Sequence, residues 1–439
     1  AGRYYTGSGD SASYITRQQY ERDPYGIDPR VQLDGSERGL QTLRADGSFK
    51  VAERLKLLAF AYHTDQSFTR WYTRPINTTT WAQREESYDR EVTGGGLNLN
   101  GQQKLGAGPL NWVTGVEAFR ESTYYQFADG LNNRRRLAPA IYDRTADLNS
   151  VSAFAEVEAP LHARFKPWVA ARYDRFTGEA TRNGTETGTD PLGKMKAMSH
   201  LSPKIGVRSD VAPGVRLRAS WAEGFALAPN FVKYALGAGN LDPNVFQQTE
   251  IGAAFQLART VAFDIAVYRI DSSDEILTVS PGVYQNFGET KRTGFEAKGE
   301  WCPLNPLAFT LTYGSAESDV ERNTNLALTG KKVTGVPDHT GTFLVAWAPQ
   351  QGWGADAMLR YVGSYAVDAT NTLYSPSYTT IDVALSYAGR WGNRRYKVYS
   401  AIENVADRVY ATSVSLISGF QILAPGAPLT FKAGVQFDF

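Results

Sequence analysis

The chain has 439 residues, and its 46 Lys and Arg nearly cancel its 45 Asp and Glu. That balance lacks the basic footprint of a nucleic-acid binder and exerts no pull toward an anionic membrane surface. Only 42% of residues are hydrophobic, no apolar run nears the roughly 20 residues of a transmembrane helix, and the lone Cys302 cannot form an internal disulfide.

Aromatic residues nevertheless make up 12% of the chain, including 24 Tyr and 9 Trp. Low hydropathy with many rings suits strands that show lipid at every second residue. Ala1-Gly2-Arg3-Tyr4-Tyr5 has no apolar signal-peptide core, so an exported chain would have lost its front or carry it elsewhere. Pro24, Gly26 and Pro29 mark a loop. From about Gly39 onward, strand patterns recur. Leu43, Ala45, Gly47, Phe49 and Val51 alternate with Thr42, Arg44, Asp46, Ser48 and Lys50. Phe295, Ala297, Gly299 and Trp301 alternate with Glu296, Lys298 and Glu300, and Ile381, Val383, Leu385 and Tyr387 with Asp382, Ala384 and Ser386. Gly94-Gly95-Gly96 lacks the Gly-Lys-Ser/Thr of a phosphate loop and reads as flexibility or a bulge within a strand.

Two kinds of connection alternate. Tight ones are expected near Val51–Arg54, Gly106–Pro109, Pro160–Ala163, Val211–Gly214, Leu257–Thr260, Pro303–Pro306, Pro349–Gly352 and Trp391–Arg394. Long polar stretches are expected near 69–87, 126–142, 177–198, 226–246, 274–286, 318–334, 366–377 and 409–427. Short turns on one side and long loops on the other define an all-β transmembrane antiparallel β-barrel, with turns periplasmic and loops extracellular. A β-propeller, with four short strands per blade of about 40–45 residues, does not fit strands this long. The chain ends Leu429 to Phe439 in strict alternation, and a strand ending on an aromatic residue with nothing over its edge suits a closed barrel. Seventeen strands are counted, or eighteen if part of Arg3–Gln19 supplies an opening upward strand. Without it, the first clear strand would run parallel to the last.

Several segments resemble the barrel of TonB-dependent outer-membrane receptors of the ferric-siderophore type. Ser202-Pro203-Lys204-Ile205-Gly206 with Leu217-Arg218-Ala219-Ser220-Trp221-Ala222-Glu223-Gly224-Phe225 is similar to a family hairpin. So are Gly239-Asn240-Leu241-Asp242-Pro243, Thr249-Glu250-Ile251-Gly252, Asn286-Phe287-Gly288, Thr293-Gly294-Phe295-Glu296, Val336-Pro337-Asp338-His339-Thr340, and Glu403-Asn404-Val405-Ala406-Asp407 with Tyr410. Their order over about 150–439 carries the resemblance; residues 1–140 fit by pattern. Asn244 and Ala226-Leu227 depart from the family pattern in an outside loop. The resemblance implies a plugged barrel of about 22 strands, with an amino-terminal plug and TonB-contacting box not found in this sequence. Residues 1–439 are therefore expected to be the barrel domain, the carboxy-terminal part of such a receptor, lying in the bacterial outer membrane.

No catalytic constellation is present: His63, His162, His200 and His339 are scattered and lack metal-ligand spacing. No cofactor is expected, with iron only as part of a transported siderophore complex. Two outside loops carry the candidate ligand contacts. The first holds Arg70, Trp71, Tyr72, Arg74, Trp81 and Arg84; the second holds Tyr124, Tyr125, Arg134, Arg135 and Arg136. Tyr234 and Tyr284 lie beside other outside loops. Flat rings beside cations would suit a bulky, partly aromatic, often anionic chelate. The same residue types also make interfacial girdles and pair with lipopolysaccharide phosphate, so both readings stay open. The expected partners are a ferric siderophore, the TonB complex through the plug, and outer-membrane lipid and lipopolysaccharide, with no nucleic acid. A passive diffusion porin is the alternative, and a fragment serving as a surface structure or phage target is a third reading.

Overall fold

The computed structural model describes residues 1–11, 15–77, 79–105, 108–137, 139–184, 186–188, 192–227, 241–280, 283–417 and 419–438. Tyr234 and Phe439 lie outside the described residues. The first part of the chain forms β1 (Gly2–Asp10), a short β2 (Ile15–Thr16), a helix α1 (Arg17–Arg22), then β3 (Gly35–Ala52), β4 (Leu55–Pro75), β5 (Trp81–Leu105) and β6 (Gly108–Leu131). It continues through β7 (Tyr142–Glu158), β8 (Phe165–Arg182), β9 (Met198–Ala212), β10 (Val215–Ala226), β11 (Asn244–Ala258), β12 (Val261–Ser280), β13 (Val283–Leu304) and β14 (Leu307–Arg322). The last part holds β15 (His339–Trp347), β16 (Gly352–Val362), β17 (Tyr365–Ala366), β18 (Tyr374–Ser375), β19 (Tyr378–Trp391), β20 (Arg394–Glu403), β21 (Ala411–Ile417), β22 (Phe420–Pro425) and β23 (Thr430–Asp438).

Eighteen strands form one sheet, each antiparallel to its neighbour in chain order from β1–β3 and β3–β4 to β19–β20 and β20–β23. The opening upward strand is therefore β1, pairing Tyr4 with Gln41 and Thr6 with Gly39. With an even number of alternating strands, β1 and β23 run in opposite directions. The parallel relation expected of the first clear strand disappears. Among the described residues no ladder joins β1 to β23. Their outside loops meet instead: β2 pairs with β22 and β22 with β21 in a three-stranded sheet.

Register explains the two faces. One rung across the seven consecutive strands β3 to β9 reads Gly47, Ala59, Leu97, Val116, Ala153, Tyr173, Leu201. The adjacent rung reads Asp46, Phe60, Gly96, Glu117, Ser152, Asp174, His200. Successive side chains point to opposite faces, so the first set faces lipid and the second faces the lumen. Val151, at 61% exposure, and Phe431, at 67%, are what a lipid-facing surface presents. Near the tight turns the lipid face carries rings in contact: Trp301 with Phe309 at 5.0 Å, Trp353 with Tyr387 at 5.3 Å, and Tyr396 with Phe437 at 6.4 Å. Such a belt sits where membrane meets water. The lumen face carries ion pairs, among them Arg172–Glu117 at 2.9 Å and Arg218–Asp264 at 2.8 Å.

The triple glycine of β5 is no bulge, since its ladder to β4 runs without a register shift. A Cβ on Gly94 would stand 2.6 Å from the Tyr62 hydroxyl, and one on Gly96 2.8 Å from the Phe60 ring. These glycines make room for two lumen-facing rings stacked at 6.4 Å. The tight turns among the described residues fall close to their expected places, with Gly214 (φ 75°) and Gly392 (φ 61°) in the left-handed region that favours glycine; Gly106 and Ala107 of the second expected turn lie outside the described residues. Four long stretches differ most from expectation, the one around 409–427 by forming β21 and β22. Around 69–87 the ladder continues to Pro75↔Trp81, around 126–142 β6 runs on to Leu131, and around 274–286 it reaches Ser280↔Val283. Once a strand leaves the membrane both its faces are wet. Its hydrophobic alternation fades while its hydrogen bonds persist.

Candidate ligand-binding wall

The four strands β4 to β7 carry the sheet past the lipid-facing belt. Most of the candidate residues read as loop therefore lie on strands: Trp71, Tyr72 and Arg74 on β4, Trp81 and Arg84 on β5, and Tyr124 and Tyr125 on β6. Strand parity then divides them between two faces.

The lumen-side set is Arg70, Tyr72, Arg74, Arg84 and Tyr125, joined by Phe68, Glu86, Tyr88, Arg90 and Phe127. Direct partners are Phe68↔Tyr88, Arg70↔Glu86, Tyr72↔Arg84, Tyr88↔Tyr125 and Glu86↔Phe127. Every lumen-side arginine of β5 meets a carboxylate. Arg84 donates to both oxygens of Asp129 at 2.9 and 3.0 Å, and Arg90 lies 3.5 Å from Glu121. On β4, Arg70 lies 2.5 Å from Glu86, whose other oxygen accepts from the Tyr125 hydroxyl at 3.2 Å. The guanidinium groups also lie over rings: Arg70 over Tyr72 at 4.5 Å, Arg90 over Tyr88 at 4.9 Å and Arg84 over Phe127 at 5.8 Å. Arg74 stands 6.0 Å from the Tyr72 centroid.

Tyr125, Ala146 and Ala180 are buried on this wall, packed by Tyr88, Phe127, Tyr142, Leu192 and Met195. Below them lies a second cluster of Leu148, Phe176, Met198 and Leu241, with Phe119 and Phe225 against it. Leu192 and Met195 come from the loop after β8, tied down by Met195 N–H to the Gly178 carbonyl at 3.0 Å and Ala180 N–H to the Gly193 carbonyl at 3.0 Å. Glu186 anchors the same loop, accepting from Arg144 Nε and Nη2 at 2.8 Å each and from Arg182 at 3.0 Å. Burial pushes the Glu186 carboxyl up, but the Arg144, Asp143 N–H and Arg182 hydrogen bonds outweigh it and hold it below the usual carboxylate range.

The opposite face holds Trp71, Tyr124 and the side chains that join them. Trp71 Nε1 donates to Glu85 at 3.1 Å, Arg136 binds Glu85 and Gln126, and Gln126 donates to the Tyr124 hydroxyl at 2.6 Å. Arg134 is a structural staple. At φ 60° in a tight turn, its side chain donates to the carbonyls of Leu33 and Asp34 and to Asp10, and its guanidinium covers Trp71 at 5.0 Å. Trp81 lies between the Arg30 guanidinium at 4.0 Å and the Phe420 ring at 6.1 Å. Arg135 is exposed beyond the strand ends. Tyr284 is placed by its backbone pairing with Thr278. The carboxylate partners Glu85, Glu86, Glu121 and Asp129 and the rings Phe68, Tyr88, Phe127 and Tyr142 escaped the sequence reading. Glu85 and Glu86, directly after Arg84, were the available signal. Among the described residues no three of His, Cys, Asp and Glu converge as a metal site.

A sheet with one lipid-facing and one ion-paired face, ringed by aromatics and carrying tall extracellular strands, defines an outer-membrane β-barrel. The chain belongs to the TonB-dependent receptor-like β-barrel family, whose model matches residues 1–405. The match takes in residues 1–140, where sequence motifs had been silent. The metal-pseudopaline receptor CntO of Pseudomonas aeruginosa is 25% identical over 254 residues, 55% of this chain and 35% of that protein. The probable TonB-dependent siderophore receptor PiuA of Acinetobacter baumannii is 24% identical over 332 residues, 69% of this chain and 41% of that one. The unliganded ferric citrate transporter FecA superposes with a TM-score of 0.82 at 15% identity, over 99% of this chain and 66% of that structure. The chain thus spans well under half the length of the curated relatives it matches. These are transport receptors rather than enzymes, and they give no support to the passive-porin alternative.

Proposed function

We propose that residues 1–439 form the barrel domain of a receptor that binds a ferric siderophore at the extracellular end of its lumen. Import would be energised by the TonB complex acting through a plug, and iron would travel only inside its chelate. The observation that supports this reading most is the ring-lined inner wall of β4 to β7 in a chain of this family. Stacking and apolar contact give such a wall affinity for a bulky chelate without a metal ligand of its own. Lipopolysaccharide would contact the outer face above the lipid belt.

The test is uptake of radioactive iron supplied as single ferric chelates to iron-starved cells with and without the gene. At least one chelate should enter only when the gene is present, and a proton uncoupler should stop entry while surface binding persists. Gene-dependent entry that survives the uncoupler would refute gated transport.

A further inference from the structure

The wall that would hold the cargo is rich in arginine, but most of that charge is already paired. Arg70, Arg84, Arg90 and Arg144 point to the lumen side and each meets a carboxylate, Glu86, Asp129, Glu121 and Glu186, the last shared with Arg182 of β8. An anion approaching Arg70 or Arg90 meets a fixed carboxylate at the same place, and Arg84 and Arg144 are buried from it. The arginine faces that remain are spent on rings, as Arg144 is over Tyr142 at 4.0 Å.

Two lumen-side cations on neighbouring strands have no carboxylate among the described residues: Arg38, directly across from Phe68, and Arg74 near the tip of β4. Six residues of β4 separate their levels, about 20 Å of strand. They cannot converge on one chelate. What a ligand meets between them is ring surface: Phe68, Tyr72, Tyr88, Phe127 and Tyr142, over the buried Tyr125.

We infer that this wall selects ferric chelates of net charge near zero, with an aliphatic or aromatic outer face, over polyanionic ones. The inference rests on the proposed siderophore-binding reading and specifies its cargo class. Desolvating a polyanion against paired charges costs more than it returns, whereas a neutral chelate gains apolar contact without disturbing any pair.

The experiment compares two probes, an uncharged ferric trihydroxamate and a trianionic ferric tris-catecholate, binding to outer membranes that carry the receptor. The neutral chelate should bind at least tenfold more tightly. Glu86→Gln keeps the acceptor for Tyr125 but frees Arg70, and it should shift the ratio at least tenfold toward the trianion. Asp129→Asn, which frees Arg84, should act in the same direction and guards against misfolding of the first variant. Equal or tighter binding of the trianion, or ratios unmoved by both variants, overturns the inference while leaving siderophore binding intact. Binding of neither probe overturns both.

Discussion

Glu186 has a side chain with 0% exposure, facing an Arg144 at 1%. A buried pair of this kind adds little net stability when intact, but removing one partner strands the other charge out of water. Glu186→Gln should therefore cost about 3–5 kcal/mol of local stability. The amides of Asn183, Thr187 and Gly188, bonded to the carbonyls of Asp143, Ala140 and Ile141, report it. Their hydrogen-exchange rates should rise by at least about 100-fold, and unchanged rates would show that the pair does not hold the loop. The pH dependence has a definite sign. A carboxyl held below its usual range contributes stability that is full at neutral pH. That contribution fades as pH falls below the free-carboxylate value of about 4.3 and through the lower folded value, so in the parent protein the same amides should lose protection only in acid. None of this was legible in the sequence. Arg144 and Glu186 lie on different sides of a turn, and only folding of the loop after β8 back onto β7 and β8 joins them. Arg134 and Asp10 are a more extreme case, brought together across β1, β3, β4 and β5.

Among elements, legibility followed the membrane. β23 was readable because Phe431, Ala433, Val435 and Phe437 face lipid together with Ile402, Ser400, Val398 and Tyr396. β1 was not, because Gly2-Arg3-Tyr4-Tyr5-Thr6-Gly7-Ser8-Gly9-Asp10 has no apolar alternation and is recognisable only by its pairing with β3. The wet ends of β4 to β6 look like loop in the sequence for the same reason, which hides the parity that sends Tyr125 inward and Tyr124 outward. The small outside sheet is a further element that no local pattern announces. In it Ile15 pairs with Leu423, both buried, and Leu423 packs with Val367, Ala411 and Val414 under Tyr20, Tyr365 and Leu373. It links the loop after β1 to the loop before β23, the two strands with no described ladder between them. The double variant Ile15→Cys, Leu423→Cys should form a disulfide on mild oxidation, since directly paired antiparallel residues place their Cβ atoms within about 5.5 Å, close to disulfide range. Cys302, at the far end of the barrel, cannot compete. Absence of the cross-link in intact cells would mean that this sheet does not persist there.

At the scale of the whole molecule, alternation organises everything else: a single register assigns each residue to lipid or lumen. That makes neighbours in sequence energetically unlike. Leu311 pairs with Gly299 and Phe343, between the rings of Phe309 and Tyr313 on the lipid side, while Thr312 pairs with Lys298 and Thr342 in the lumen and shares a hydroxyl contact of 2.6 Å with Thr342. An arginine on the lipid face near the bilayer midplane of a barrel costs about 2–4 kcal/mol, whereas lumen substitutions act mainly on selectivity. Leu311→Arg should thus lower the unfolding free energy in lipid vesicles by about that amount, while Thr312→Arg should lower it by less than about 1 kcal/mol, its guanidinium facing water and the lumen-side carboxylates of Glu296 on β13 and Asp264 on β12. Urea titration followed by tryptophan fluorescence makes the comparison. Equal losses at the two sites would mean that the two faces are not divided between lipid and water. The charge-paired, ring-lined wall of the upper lumen would lose its basis with them, because its assignment to the lumen rests on that same register.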